Sequence, residues 1–151
     1  MRPSILAAVP TITVVSPPDA AADAVVTDGL RAHLVPQWGS AERTDVSAYL
    51  RDDAGRVVGG LIARLAWGWL YVDRFWVDAA FRGRGQGADL LAAAETFALE
   101  HGCRDAHLDT FGDEALPFYA KLGYAVWATL EGLPPGSRKH HLRKSLRERS
   151  S

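Results

Sequence analysis

Hydrophobic and polar positions change their period at one place in this chain. Trp69–Val77 reads as a strand, and past residue 88 the apolar residues Leu90, Leu91, Ala94, Phe97 and Ala98 recur at helical spacing on one face. Val77-Asp78-Ala79-Ala80-Phe81-Arg82-Gly83-Arg84-Gly85-Gln86-Gly87-Ala88 joins the two. The pattern predicts a strand that turns into a helix through glycines.

The other elements follow from the same reading. Residues 11–15 are β-branched and predict a first strand, and Ser16-Pro17-Pro18-Asp19 offers a turn and an N-cap for an Ala-rich helix over residues 20–34. Residues 36–43 have no clear period, which leaves a loop or a degenerate second helix. Residues 46–51 and 56–66 predict two strands joined by a hairpin turn at Asp52-Asp53-Ala54-Gly55. With Trp69–Val77 they make three antiparallel strands ahead of the glycine loop. The helix beyond it ends at His101-Gly102, and residues 104–110 predict a strand parallel to the one before the loop. A short helix starts at Asp113 or Glu114, because Pro117 is tolerated only in a first turn, and Ala115, Phe118, Tyr119 and Leu122 form its stripe up to Gly123. Residues 124–130 and 140–146 predict the last two strands, separated by the stiff loop at residues 131–137. Residues 1–10 read as a loose end, 11–146 as the domain, and 147–151 as a frayed tail.

Composition narrows the class without naming a function. The chain has 151 residues, 48% hydrophobic and 23% charged, with a net charge of −1, which fits one ordinary soluble globular domain and gives no global charge for nucleic acid. Cys103 is the single cysteine, so an intrachain disulfide is excluded and a reducing cytoplasm is the default compartment. The first ten residues make a poor signal peptide, and no apolar run approaches the ~18–20 residues that span a bilayer. The basic run Arg138-Lys139-His140-His141-Leu142-Arg143-Lys144 would be divided between two faces of a strand, as expected of a solvated strand rather than a nucleic-acid patch. Trp67, Trp69 and Trp76 read most simply as core or hairpin residues.

The candidate chemistry sits in the glycine loop. Gly83, Gly85 and Gly87 remove the β-carbons that would hold a ligand off the backbone, and a helix opening there leaves amides unpaired at the positive end of its dipole. Those amides suit a phosphate or pyrophosphate. Gly83-Arg84-Gly85-Gln86-Gly87-Ala88 also matches the Gly-x-Gly-x-x-Gly/Ala dinucleotide fingerprint, with Asp105 at about the right distance. Against a dinucleotide fold, antiparallel strands come first and only one strand–helix–strand unit exists. Tyr119 is read both as a core aromatic of its helix and as a proton donor, since a phenol with pKa about 10 stays protonated at neutral pH.

Arg82-Gly83-Arg84-Gly85-Gln86-Gly87 fits a Gln/Arg-x-x-Gly-x-Gly/Ala loop, and Phe118-Tyr119-Ala120-Lys121-Leu122-Gly123-Tyr124 fits Tyr-x-Lys-x-Gly-Phe/Tyr. Both motifs on this order of elements resemble the GNAT family of acetyl-CoA-dependent N-acetyltransferases. The wording around them looks like a bacterial branch whose acceptors are mostly unassigned. The resemblance implies an α/β fold with a mixed, mostly antiparallel central sheet splayed at the cofactor loop and flanked by helices. It implies that amides of Arg84, Gly85, Gln86, Gly87 and Ala88 hold the pyrophosphate of acetyl-CoA, with Arg82 and Arg84 adding charge and Gly83 shaping the loop. The strand end at Trp76 and Val77 would pair with pantetheine and polarise the thioester, and Tyr119 would protonate the departing thiolate after direct attack by a primary amine. A homodimer is common in similar proteins; a metal is not required.

On the acceptor side an ammonium group must lose a proton before it attacks. Asp73, His107, Asp109 and Glu114 are candidates near the expected strand ends, with Asp109 the first choice for substitution. Many relatives carry a glutamate on the strand before the loop, which is absent here, and Gly112 stands where relatives often have Asn. The same pocket without turnover would make an acyl-CoA-binding regulatory module, the alternative to an N-acetyltransferase.

Overall fold

Asp19 opens the first helix: its carboxylate accepts the N–H groups of Ala21 and Ala22 at 2.9 and 3.1 Å. The computed structural model describes residues 8–40 and 42–147, and the chain divides into two compact units, Met1–Ser40 and Ala41–Ser151. In the first unit, α1 runs Ala20–Trp38 and ends at Gly39, whose N–H donates to Val35 at 2.9 Å. The helix thus continues through Pro36, where the predicted loop or second helix would have begun. A proline removes one N–H and crowds the preceding turn, and the last turn accommodates it. The strand predicted at residues 11–15 does not form. β-Branched residues favour extended backbone, but a strand exists only where a neighbour completes its hydrogen-bond ladder. Most of the predicted loose end, residues 1–7, lies outside the described residues, as do residues 148–151 of the predicted tail.

The second unit is built on a six-stranded mixed sheet. Its strands are β1 (Thr44–Arg51), β2 (Val57–Ala66), β3 (Trp69–Val77), β4 (Asp105–Phe111), β5 (Ala125–Glu131) and β6 (Arg138–Ser145), with α2 (Gln86–Glu100) between β3 and β4 and α3 (Leu116–Lys121) between β4 and β5. The spatial order is β1-β2-β3-β4-β6-β5, and every pairing is antiparallel except β3 with β4. Alternation puts Leu61, Ala63, Leu65, Leu70, Val72, Ala106, Leu108 and Leu142 on one face, where they meet Leu90, Leu91, Ala94 and Ala98 of α2. Each fully buried Leu contributes roughly 1.5–3 kcal/mol. β1 and β2 approach closely at Gly60, where a Cβ would stand 2.7 Å from the Ala48 carbonyl oxygen.

The sheet forks where the sequence pattern places its glycine loop. β3 and β4 pair only from Trp69↔Asp105 to Val72↔Leu108, after which β3 continues to Val77 and β4 to Phe111 without each other. The β2–β3 register slips at the same level: Ala63 faces Val72 and Ile62 faces Arg74, which leaves Asp73 as an extra residue in β3. Such a bulge bends its strand and increases the local twist. β3 therefore leaves β4 directly after Val72.

Candidate active site

The fork opens into a cleft of about 690 Å³ between the end of β3, the glycine loop and α3. Val77 hands the chain to a single 3₁₀ turn, Ala79–Phe81, whose first turn is capped by Asp78 through a 2.9 Å bond from the Ala80 N–H. The loop then reaches Gly85, which sits in the left-handed region (φ 79°, ψ 1°) as the N-cap of α2, with no side-chain cap. The first helical bond from this cap is Asp89 N–H to the Gly85 carbonyl, at 3.1 Å. The amides of Gln86, Gly87 and Ala88 precede that bond and have no acceptor within the helix. Along this rim the cleft wall is backbone.

Most of the residues singled out in the sequence meet here. Trp76, Val77, Arg82, Gly83, Gly85, Gln86, Gly87, Ala88 and Tyr119 all line the cleft. Arg82 is turned back on the strand, its Nε donating to the Val77 carbonyl at 2.8 Å. Arg84 lines a neighbouring hollow, with its guanidinium 5.9 Å from the Phe81 ring centroid. The unshielded amides of the loop and its arginines, all donors, fit a pyrophosphate-bearing ligand.

Tyr119 serves the core and the cleft together. It is 7% exposed, packs edge-on against Phe118 and Tyr124 with centroids 5.1 and 6.0 Å away, and still lines the cleft. Burial raises its phenol above the ordinary value, which keeps the proton on oxygen at neutral pH. α3 begins at Leu116, later than predicted, with Pro117 in its first turn. Asp113, proposed to start it, instead accepts from His140 Nε2 at 2.7 Å, and that hydrogen bond holds its carboxyl below the ordinary range.

Seven further residues line the cleft to which the sequence assigned no site role: Phe75, Phe81, Thr110, Ala115, Phe118, Lys121 and Leu122. Phe75 and Phe118 stack at 6.0 Å between centroids and form the apolar wall, while Thr110 and Lys121 add polar groups. Phe118 and Lys121 lie within the second motif and were legible there; Phe75 and Thr110 carry no signal apart from strand alternation.

Of the base candidates, Asp109 lies at the fork on the face of β4 opposite α2. Its Oδ2 accepts the Tyr71 hydroxyl at 2.8 Å, and its Oδ1 is 2.6 Å from His141 Nδ1. Asp109 does not line the cleft; Thr110, the next residue, does. Asp73 occupies the bulge, 3.8 Å from Arg74 Nε, and Glu114 is exposed. His107 is half-buried against Trp69 and Tyr71, with ring centroids at 5.4 and 4.7 Å. Desolvation pulls its pKa below the ordinary value. Cys103 is buried outside the cleft, and its thiol is raised by burial. Gly112 takes a positive φ of 72° and donates its N–H to the Arg138 carbonyl at 2.7 Å, a turn between β4 and α3.

A mixed sheet forked beside a glycine loop that opens a helix is the arrangement the sequence resemblance implied, that of an acyltransferase. The description of the Acetyltransferase (GNAT) family matches residues 19–124, and the chain belongs to that family. It is 36% identical to an acetyltransferase of Agrobacterium fabrum over 78% of this chain and 86% of the relative. It is 40% identical to the blasticidin-S acetyltransferase of Streptomyces morookaense over 66% of this chain and 74% of that one. A crystal structure from Agrobacterium tumefaciens, assigned as an acetyltransferase, superposes with a TM-score of 0.81 at 33% identity, over 89% of this chain and 98% of that chain. The protein is an acetyltransferase of the GNAT family. Among the described residues no helix is long and apolar enough to cross a membrane, and no cluster of His, Cys, Asp or Glu could hold a metal ion.

Proposed function

We propose that this chain moves an acetyl group from acetyl-CoA to a primary amine by direct attack, with Tyr119 as the general acid. The observation that carries the reading is the convergence of the uncapped start of α2 and the Tyr119 phenol on one cleft. Acetyl-CoA supplies the acyl group as an activated thioester. The amides of Gln86, Gly87 and Ala88 would bind its pyrophosphate, helped by the dipole of α2 and the charges of Arg82 and Arg84. Trp76 and Val77 lie past the last β3–β4 pair, on the edge of β3 that β4 leaves uncovered, and an N–H of that edge aimed at the carbonyl oxygen would stabilise developing negative charge. Phe75 and Phe118 exclude water from the reacting end. Tyr119 keeps its proton until a thiolate leaves, then donates it from Oη.

The acceptor is open among a small polyamine, an amino sugar, an amino acid, an antibiotic amine and a protein amine. The resemblance to a blasticidin-S acetyltransferase puts blasticidin S first among those to try. Acetyl-CoA should raise the melting temperature, by an amount equivalent to ~2.7 kcal/mol at a hundredfold excess over Kd, whereas NAD should leave it unchanged. Release of CoA thiol is then followed with blasticidin S, spermidine, glucosamine, lysine and a peptide with a free amino terminus. Equal stabilisation by NAD would remove the assignment. Stabilisation by acetyl-CoA without thiol release from any amine would instead indicate a binding module. Gly85→Asp places a side chain and a negative charge on the rim and forces a β-carbon into positive φ. The acetyl-CoA shift should vanish in this variant while the folded circular dichroism spectrum remains.

A further inference from the structure

We infer that His141, oriented by Asp109, is the group that takes the proton from the acceptor amine. The inference rests on the acetyl-transfer reading and concerns the side of the fork that the Tyr119 cleft does not use.

The sheet decides where an acid and a base can stand. β4 and β6 stay paired along their whole contact, Asp105↔Ser145 to Phe111↔Lys139, so the opening between β3 and β4 is the one way through the middle of the sheet. Val72↔Leu108 closes it at the base. Asp109 is the next residue of β4, and its register partner across β6 is His141. Alternation sends Thr110 into the cleft and Asp109 to the opposite face. Tyr119 therefore meets the fork from one side, and the Asp109–His141 pair stands beside it on the other. An amine that attacks a carbonyl held in the fork, away from the departing sulfur, would enter from that second side.

The hydrogen bonds select His141 rather than Asp109 as the proton acceptor. The carboxylate has one oxygen on His141 Nδ1 at 2.6 Å and the other on the Tyr71 hydroxyl at 2.8 Å, with Lys139 Nζ at 3.8 Å. Both of its oxygens are already engaged, and it stands 18% exposed. A carboxylate accepts, so Nδ1 must donate; in the neutral ring the lone pair is then on Nε2. Among the described residues Nε2 has no hydrogen-bond partner, and the side chain is 26% exposed. This is the logic of an oriented imidazole: a carboxylate fixes the tautomer and stabilises the cation that forms. The charged and titratable groups around the ring are Asp109 and His107 of β4, Lys139 and Arg143 of β6, and Tyr71 of β3 through Asp109. Trp127 of β5 packs against it at 5.9 Å between centroids.

The protons balance. The acceptor ammonium gives one proton to His141 Nε2, which passes it to water. The C–N bond forms and the C–S bond breaks, sulfur takes the Tyr119 proton, and the second proton lost by nitrogen returns through water to the Tyr119 oxygen. The sum is ammonium plus thioester giving amide, thiol and one proton to solvent.

Two measurements test the pair. In the first, kcat/KM is followed against pH for the unmutated protein, His141→Gln, Asp109→Asn and the double variant, with the best acceptor of the amine panel. At neutral pH His141→Gln should lose about 10²–10⁴-fold, and its acid limb should move up to the range where the acceptor ammonium itself deprotonates, about 10.4 for a lysine-like amine, at unchanged acetyl-CoA affinity and melting temperature. The double variant should be no slower than His141→Gln alone, because residues acting as one unit are not additive. An acid limb left at the same pH, or independent multiplicative losses, would overturn the inference. The second needs neither acceptor nor variant. Nitrogen-15 spectra of the histidine rings, taken at a pH where the rings are uncharged, should show His141 as the Nδ1–H tautomer, and finding the Nε2–H tautomer would overturn it. Failure of the acetyl-transfer reading shows separately, as absence of acetyl-CoA stabilisation in the unmutated protein.

Discussion

At the residue scale, the packing of Tyr119 and the proton-donor role proposed for it are separated by a single substitution. Tyr119→Phe keeps the ring packed against Phe118 and Tyr124 while deleting the proton donor. With a competent acceptor kcat should fall by about 10²–10⁴-fold, with acetyl-CoA affinity and melting temperature unchanged; a loss of stability alone would make the hydroxyl structural. The sequence revealed this residue because its motif is local: Tyr119 and Gly123 lie within one short helix and its end. Asp109 was legible as a carboxylate near a strand end, but its partners were not. Tyr71 and His141 are 38 and 32 residues away along the chain, and no local pattern announces contacts of that range.

At the scale of elements, α2 is bound to the sheet by more than its apolar stripe. Lys144 of β6 reaches across to Glu95 of α2 with Nζ–O distances of 2.5 and 3.0 Å, and Glu95 is only 8% exposed. Removing one member of such a pair strands the other without its counter-charge, which costs about 3–5 kcal/mol, whereas replacing both by apolar residues is often neutral. Lys144→Met should therefore lower unfolding free energy by several kcal/mol in urea titrations, and Glu95→Leu with Lys144→Met should recover most of it. If Lys144→Met alone leaves stability unchanged, the pair does not hold α2. Lys144 was legible only as part of the basic run of a strand, and nothing local pointed to Glu95, 49 residues away along the chain, as its partner.

At the scale of the whole molecule, the acid side of the stability curve should carry the mark of His107. Its folded pKa lies below the ordinary value, chiefly through desolvation and also through Arg64 and His141, with Asp109 opposing. A depressed pKa means that the unfolded chain binds the proton more readily. The stabilisation is then complete above the unfolded value of about 6.5 and is lost as pH falls through the folded one. Melting temperature should decline below about pH 6.5, and His107→Gln should flatten that part of the curve; an unchanged slope would assign the decline to other groups.

The sequence by itself determined the order of the elements from α1 onward, the strand-to-helix turn, and the loop and tyrosine that line the cleft. Those features depend on properties a short stretch possesses alone: alternation in β2, a one-sided stripe in α2, glycine tolerance of positive φ, and proline in a first turn. It misjudged residues 11–15 and Pro36, where propensity pointed one way and the available hydrogen-bond partners another. The tertiary structure alone decided that β6 inserts between β4 and β5, that the bulge at Asp73 parts β3 from β4, and that Asp109 is held by Tyr71 and His141. Each depends on backbone pairing between segments far apart in the chain. Strand order and register are chosen by the simultaneous burial of every apolar face, and no stretch of the sequence contains that choice.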